Sequence, residues 1–335
     1  MSGRHWVARG SLLALLAVVL TAAVGSTASA QIVVGQTAPS IEAANSCNFK
    51  EPFDEVQIST AAGTSYVVPA AGVITSWSTN AGPWSGQQYG FKVFRPLGGA
   101  SFLVVGHDGP RLLTPSALNT FPVAIPVQAG DHIGINIPAT GTTACSFLTG
   151  MEGDLYGYAG GTAADGATIS PTTEAGVRLN ISATVLPPPT IGSISPATGS
   201  VKGASVVIAG ANFASVQGVS FGSVPASAFT VDTEGQITAK APASKTLAKV
   251  PVTVTTVAGA ATSAQTFAYE GCVVPKLKGK GLKAAKKKAR AKDCKIGTVK
   301  KLGDTTAKSG KVVKQSPPPG KVLAPGSKIK LTLKG

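Results

Sequence analysis

From residue 31 to about residue 186, apolar and polar residues alternate in short runs separated by turn-forming residues. The runs include Tyr66-Val67-Val68, Gly72-Val73-Ile74-Thr75-Ser76-Trp77, Gly90-Phe91-Lys92-Val93-Phe94-Arg95 and Ser101-Phe102-Leu103-Val104-Val105. Phe121 to Val127, His132 to Ile137 and Val177 to Ser182 continue the series. A period of two places alternate side chains on opposite faces, the signature of half-buried strands. Gly98-Gly99, Asp108-Gly109-Pro110 and Ala129-Gly130-Asp131 punctuate the runs at the spacing of an all-β sandwich. No helical stripe is visible here. The pattern predicts a mainly β chain opening with a β-sandwich.

Two seams divide the chain beyond this stretch. Pro187-Pro188-Pro189 is a stiff polyproline-type linker, and near Glu270-Gly271 the composition changes from Ser/Thr/Val to Lys. The expected organisation is a leader at 1–30, a sandwich at 31–186, the linker at 187–189, a second domain at 190–269 and a third at 272–335. In the first domain, the run from Val127 to Ile135 is similar to the "aGD-x-i-g" turn of secreted jelly-roll modules, which implies a jelly-roll-like sandwich.

Residues 190–269 carry Ile194-Ser195-Pro196-Ala197-Thr198-Gly199, Gly203 to Phe213, Val219-Ser220-Phe221-Gly222, Ala239-Lys240-Ala241-Pro242, Val250 to Thr255 and Phe267-Ala268-Tyr269. Over nearly its full length this segment resembles the IPT/TIG family of immunoglobulin-like domains. Lys202-Gly203-Ala204 stands where the family often has two adjacent glycines.

Residues 272–335 begin with a short extended entry. Leu282, Ala285 and Ala289 then fall at i, i+3 and i+7, which predicts a helix from Gly281 to about Lys292 with one apolar stripe under a lysine cover. Strand-like runs follow at Ile296–Val299, Lys311–Gln315 and Ile329–Leu333. Val274-Pro275-x-Leu277, Gln315-Ser316-Pro317-x-x-Gly320 and Pro325-Gly326-Ser327-x-Ile329 complete a pattern that resembles a PASTA domain, a small α+β fold. The resemblance implies binding to peptidoglycan or its stem peptides, and the domain set implies a bacterial envelope protein of Gram-positive type.

The N-terminus fits that setting. Arg4 and Arg9 precede an apolar run from Leu12 to Val24, and Ala28-Ser29-Ala30 supplies an A-x-A cleavage site, as in a secretory signal ending before Gln31. The run is shorter than the ~20 residues a membrane span needs. An exported chain with Cys47, Cys145, Cys272 and Cys294 is expected to form disulfides. Of three connectivities, Cys47–Cys145 with Cys272–Cys294 keeps each bridge inside one expected domain and is preferred. With no C-x-x-C and no His near any of the four, zinc is a poor alternative.

Charge refines the picture. The 335 residues carry a formal +15, yet residues 272–335 hold 19 of the 30 Lys+Arg against only Asp293 and Asp304. The basicity belongs to the tail. Lys283, Lys286, Lys287, Lys288 and Arg290 are the candidate polyanion-binding residues. The tail has no Phe, Trp or Tyr, so bases have nothing to stack on and specific nucleic-acid recognition is not expected. Trp84 and Tyr89, beside the loop at 80–83, are the candidate sugar-stacking residues.

Catalytic chemistry has little support. His107-Asp108 and Asp131-His132 are neighbours on strands, where adjacent side chains point apart. Gly218-Val219-Ser220-Phe221-Gly222 matches G-x-S-x-G but lacks the following helix of a nucleophile elbow. Asp154 and Asp165 lie among glycines without EF-hand spacing. Asn180-Ile181-Ser182 is a sequon inside an expected strand. The expected function is therefore a secreted, non-enzymatic binding protein without cofactors, held to peptidoglycan or another anionic wall polymer through its tail. The alternatives are a carbohydrate or surface binder acting through the first domain, and a wall or polysaccharide hydrolase.

Overall fold

A computed structural model describes residues 31–335 apart from 41, 42, 48, 49, 140, 141 and 308. The expected secretory leader lies outside the described residues. Among these, no helix is long and apolar enough to cross a membrane.

The first segment is antiparallel β throughout its ladders. One sheet orders Ile32–Gln36, Ile181–Leu186, Gly72–Asn80 and Leu118–Val127. A larger sheet orders Thr168–Ile169, Ser101–Leu112, Gln88–Gly98, His132–Ile137, Phe53–Ser59, Leu155–Gly160 and Thr172–Ala175. A third pairs Thr143–Leu148 with Val177–Leu179 on one side and Ala44–Cys47 on the other. The two larger sheets enclose one apolar core, in which Ile74 and Trp77 of the first meet Tyr89, Phe91, Val93, Ile133 and Ile135 of the second. Trp77 stacks on Phe91 with ring centroids 5.8 Å apart, and its indole N–H donates to Asp108 Oδ2 at 2.8 Å, so the buried ring leaves no polar atom unmet. A smaller cluster of Val56, Phe94, Phe102, Val104 and Ile169 lies on the other face of the large sheet.

The second segment is an immunoglobulin-like sandwich. One sheet orders Thr190–Ser195, Ser205–Ala211, Gln236–Lys240 and Ala228–Thr233; the other orders Thr198–Ser200, Gly259–Glu270, Lys249–Thr256, Val216–Phe221 and Val224–Pro225. Val252 and Val254 face inward with Phe221 and Phe267, while the intervening Thr253 turns toward solvent. Ser220 lies within strand Val216–Phe221, which ends in a turn at Gly222, so the G-x-S-x-G string is strand and turn.

The third segment packs helix Leu282–Arg290 against a sheet of Lys295–Leu302, Lys328–Lys334 and Lys311–Ser316, with the first two strands parallel. Cys272–Val273 pairs with Val322–Leu323. Ala285 and Ala289 are fully buried with Ile329, Leu331 and Leu333, as the apolar stripe predicts. The chain is thus mainly β, with a sandwich, an immunoglobulin-like domain and a small α+β domain.

Cys47 is bonded to Cys145 and Cys272 to Cys294. The second bridge spans 22 residues, a loop whose closure contributes about 3 kcal/mol in the chain-entropy model. Replacing both Cys272 and Cys294 by Ser is expected to destabilise the C-terminal domain by about that amount. Urea denaturation of the full chain followed by tail-specific hydrogen exchange measures it.

Candidate functional site

The lysine cover of helix Leu282–Arg290 is not uniform. Lys283, Lys286, Lys287 and Arg290 fall at i, i+3, i+4 and i+7, which gathers them on one face, while Lys288 takes the flank. Two adjoining clefts open along that face. The larger, about 510 Å³, is lined by Lys286, Arg290, Asp293, Cys294, Lys295, Ile296, Pro325 and Gly326. The smaller, about 380 Å³, is lined by Lys283, Lys286, Lys287, Arg290 and Ala291. Lys286 and Arg290 belong to both, so the clefts form one continuous cationic surface.

Local structure fixes this arrangement. The backbone N–H of Cys294 closes onto the Ala289 carbonyl, Asp293 takes a left-handed conformation (φ 54°), and strand Lys295–Leu302 then starts beside the last helical turn. The Gly326 N–H donates to the Asp293 carbonyl at 2.6 Å, which sets the Pro325-Gly326 loop as the opposite wall. Lys295, a strand residue, thereby joins the helix cations. Sequence reasoning missed it, because its spacing from the helix carries no periodic signal. Lys288, by contrast, does not line the cleft.

None of the lining cations is ion-paired with a described carboxylate: all five salt bridges among the described residues lie between Asp54 and Arg178. Like charges at i and i+4, such as Lys283 with Lys287 and Lys286 with Arg290, destabilise a helix by roughly 0.2–0.5 kcal/mol each. Packing of Ala285 and Ala289, the disulfide, and basic residues in the last turn facing the negative helix end offset this. The result is a set of concentrated, unneutralised donors suited to multivalent anions.

The remaining sequence candidates separate. Trp84 is 37% exposed, on the loop after strand Gly72–Asn80, with its ring closed down over Gly82. Tyr89 is corrected: it is fully buried in the sandwich core, and its hydroxyl donates to the Asn180 and Cys145 carbonyls at 3.0 and 3.2 Å. It alternates with the outward-facing Gly90 and Lys92, so its ring points inward and cannot offer a face to a sugar. Asn180 is also fully buried, its amide bonded to the backbone of Ala38, Asn80 and Ala144, so the sequon presents no acceptor at the surface.

Neither His–Asp neighbour pair forms a dyad. His107 Nδ1 meets Asp165 at 2.8 Å, whereas Asp108 accepts from Arg111 and Trp77. His132 Nδ1 bonds the Gln57 carbonyl at 2.9 Å, and burial lowers its pKa; Asp131 holds Arg95 through both oxygens. Asp154 is occupied by Arg178. Among the described residues, no group of three or more His, Cys, Asp or Glu gathers as a metal site would require.

Comparison with known families places names on two segments. Residues 189–269 match the IPT/TIG domain model and residues 273–335 match the PASTA domain model. The chain carries an IPT/TIG domain followed by a PASTA domain, both non-catalytic kinds. No curated protein matches the chain. Among solved structures it is similar to SGBP-B from a complex xyloglucan utilization locus in Bacteroides uniformis, at 14% identity and a TM-score of 0.23. That match covers 67% of this chain and 57% of the other, so the chain spans a little over half of that protein's length. A likeness this distant carries no argument about function.

Proposed function

We propose that this is an exported, non-enzymatic binding protein of the bacterial cell envelope that grips an anionic wall polymer through its C-terminal domain. The polymer is peptidoglycan with its stem-peptide carboxylates, or a phosphodiester polymer attached to it. The observation that carries the reading is the unpaired cation set Lys283, Lys286, Lys287, Arg290 and Lys295 around one continuous cleft. The PASTA match supports it, since such domains are generally associated with peptidoglycan or related wall components. The two disulfides suit an oxidising compartment outside the cytoplasm. In this reading 31–186, 190–269 and 272–335 are separate folding units, and the first is presented outward by the other two. The cleft offers cations without a paired acid and base, which suits retention of a polymer rather than its hydrolysis.

The test is co-sedimentation of the full chain with purified cell wall across a salt series. Each phosphate-like contact contributes a slope of roughly −0.7 to −0.9 in log affinity against log salt. With about five contacts, raising salt from 50 to 200 mM is expected to weaken binding by roughly 10²-fold. Lys286→Ala/Arg290→Ala is expected to lower both the affinity and that slope, and a chain ending at Gly271 is expected not to sediment. Binding that persists without the tail overturns the proposal.

A further inference from the structure

The first domain has a pocket of its own, on the outer face of the large sheet and independent of the cationic cleft. Strand Gln88–Gly98 sends Tyr89, Phe91 and Val93 into the core, so Gly90 and Lys92 face outward. Gly90 packs tightly against Asn136: a Cβ built there would stand 3.0 Å from Asn136 Cβ and 3.6 Å from Asn136 Oδ1, so a larger residue must displace that side chain. His107 on one neighbouring strand and Asn136 on the other form the walls, since Lys92 pairs with His107 and Gly90 with Asn136 across the ladders. Thr162, Ala163 and Ala164 roof it, and Asp108, Gly109 and Pro110 close one end, enclosing about 260 Å³.

Lys92 and Asp108, the charged side chains that line the pocket, already have their counter-charges, and His107 Nδ1 is hydrogen-bonded. Lys92 is buried, with its ammonium on the Asp54 carboxylate at 2.7 Å and the Ala163 carbonyl at 2.6 Å. His107 faces Asp165, and Asp108 faces Arg111. What remains is neutral hydrogen-bonding capacity. Asn136 is 5% exposed, and its amide nitrogen donates to the Phe53 carbonyl, Asp54 Oδ1 and Thr162 Oγ1 at 3.0, 2.8 and 3.1 Å. Because the carbonyl and carboxylate can only accept, the amide orientation is fixed. Asn136 Oδ1 receives no hydrogen bond from a described residue and lies beside Gly90 in the pocket lining. The Thr162 oxygen accepts from Asn136 and keeps its own hydrogen to donate, and His107 retains Nε2.

We infer that this pocket binds one neutral sugar ring, with Asn136 Oδ1, the Thr162 hydroxyl and His107 Nε2 meeting adjacent hydroxyl groups. A vicinal diol supplies a donor and an acceptor at each oxygen, which this acceptor, donor and ring nitrogen complement. Pro110, Ala163 and Ala164 offer apolar contact to its C–H face. The volume lies below the ~300 Å³ at which drug-sized pockets begin, which suits a single ring. With charges already neutralised inside the site, an anion gains no partner there.

The experiment is titration of the full chain with glucose, galactose, mannose and glucose 6-phosphate, followed by amide chemical shifts. For a ligand of this size, binding of one neutral hexose is expected at a roughly millimolar dissociation constant. Gly90→Ala crowds Asn136 and shifts its amide, and Thr162→Val removes the donor from an exposed position; each is expected to weaken binding at least about tenfold. Lys286→Ala/Arg290→Ala is expected to leave it unchanged. Three results overturn the inference: no saturable shifts with any hexose, shifts equal in both pocket variants and the parent, or tighter binding of the phosphate than of its neutral parent.

Discussion

Arg178→Met is expected to destabilise the first domain by about 3–5 kcal/mol, because it strips a buried carboxylate of its counter-charge. Arg178 holds both oxygens of Asp154 at 2.9 Å, with the two side chains 7% and 0% exposed. The same guanidinium donates to Gln36 Oε1 at 3.2 Å and to the Ala62 carbonyl, and Asp154 also accepts the Ala61 N–H at 2.7 Å. One ion pair thus ties strand Val177–Leu179 to strand Ile32–Gln36 and to the loop after Ser59. Burial alone raises the Asp154 pKa, but hydrogen bonds from Arg178, Thr149 and Ala61 together outweigh it and hold the carboxyl below the usual range. A depressed folded pKa adds stability above the unfolded value, which is lost as pH falls through the folded one. Thermal melts should therefore show the variant's deficit shrinking in acid. Asp154→Leu combined with Arg178→Met is expected to be less damaging than Arg178→Met alone, since it leaves no orphan charge. Equal melting of all three proteins would remove the pair from any stabilising role.

Glu55→Gln has the opposite sign and a different pH signature. Glu55 sits in strand Phe53–Ser59, 4% exposed, with Oε2 buried and lacking a hydrogen-bond partner among the described residues. Burial, with Glu174 nearby, pushes its pKa up to about 8. The folded state retains a proton that the unfolded chain releases near 4.5, so native stability falls as pH rises from about 4.5 to about 8 and levels beyond. Gln cannot ionise and should abolish that decline. Relative to its own difference at pH 4, the variant is expected to gain roughly 3–5 kcal/mol at pH 9. Denaturation curves at the two pH values measure this, and parallel curves across the range would show that Glu55 does not titrate on folding.

Glu55 marks where the sequence was hard to read. The run Gly72–Trp77 announces itself by alternation, and Ser101–Val105 by being apolar on both faces, with Phe102 and Val104 in one cluster and Val105 against the other. Strand Phe53–Ser59 does not, since Asp54, Glu55 and Gln57 are all buried in it. Asp54 meets Lys92 from 38 residues away, and Gln57 bonds the backbone at Ser59, Leu155, Val177 and Leu179. Polar residues satisfied by distant partners look like loop in a local window. Tyr89 failed for a related reason: glycines and polar residues around it suggested surface, and only the sheet face decided otherwise. The cationic helix was legible, because its apolar stripe of Ala285 and Ala289 orients every lysine. Lys295 and the Pro325-Gly326 wall were not, since the Cys294 turn and a parallel strand pairing bring them to the helix.

The Cys272–Cys294 bond also governs how the C-terminal domain would bear mechanical load. A chain gripped through Lys286 and Arg290 and tugged from Glu270 is pulled through Cys272, the first residue of the domain's entry strand. Without the bridge, tension would reach helix Leu282–Arg290 only at its N-terminal end and could peel it turn by turn. Drawing out 22 residues would lengthen the tether by roughly 70–80 Å. With the sulfur bond in place, Cys272 is joined to both ends of the helix, through residues 273–281 on one side and through Cys294 on the other. The pull is shared between the two ends, the helix is lifted whole, and the gripping side chains keep their spacing under strain.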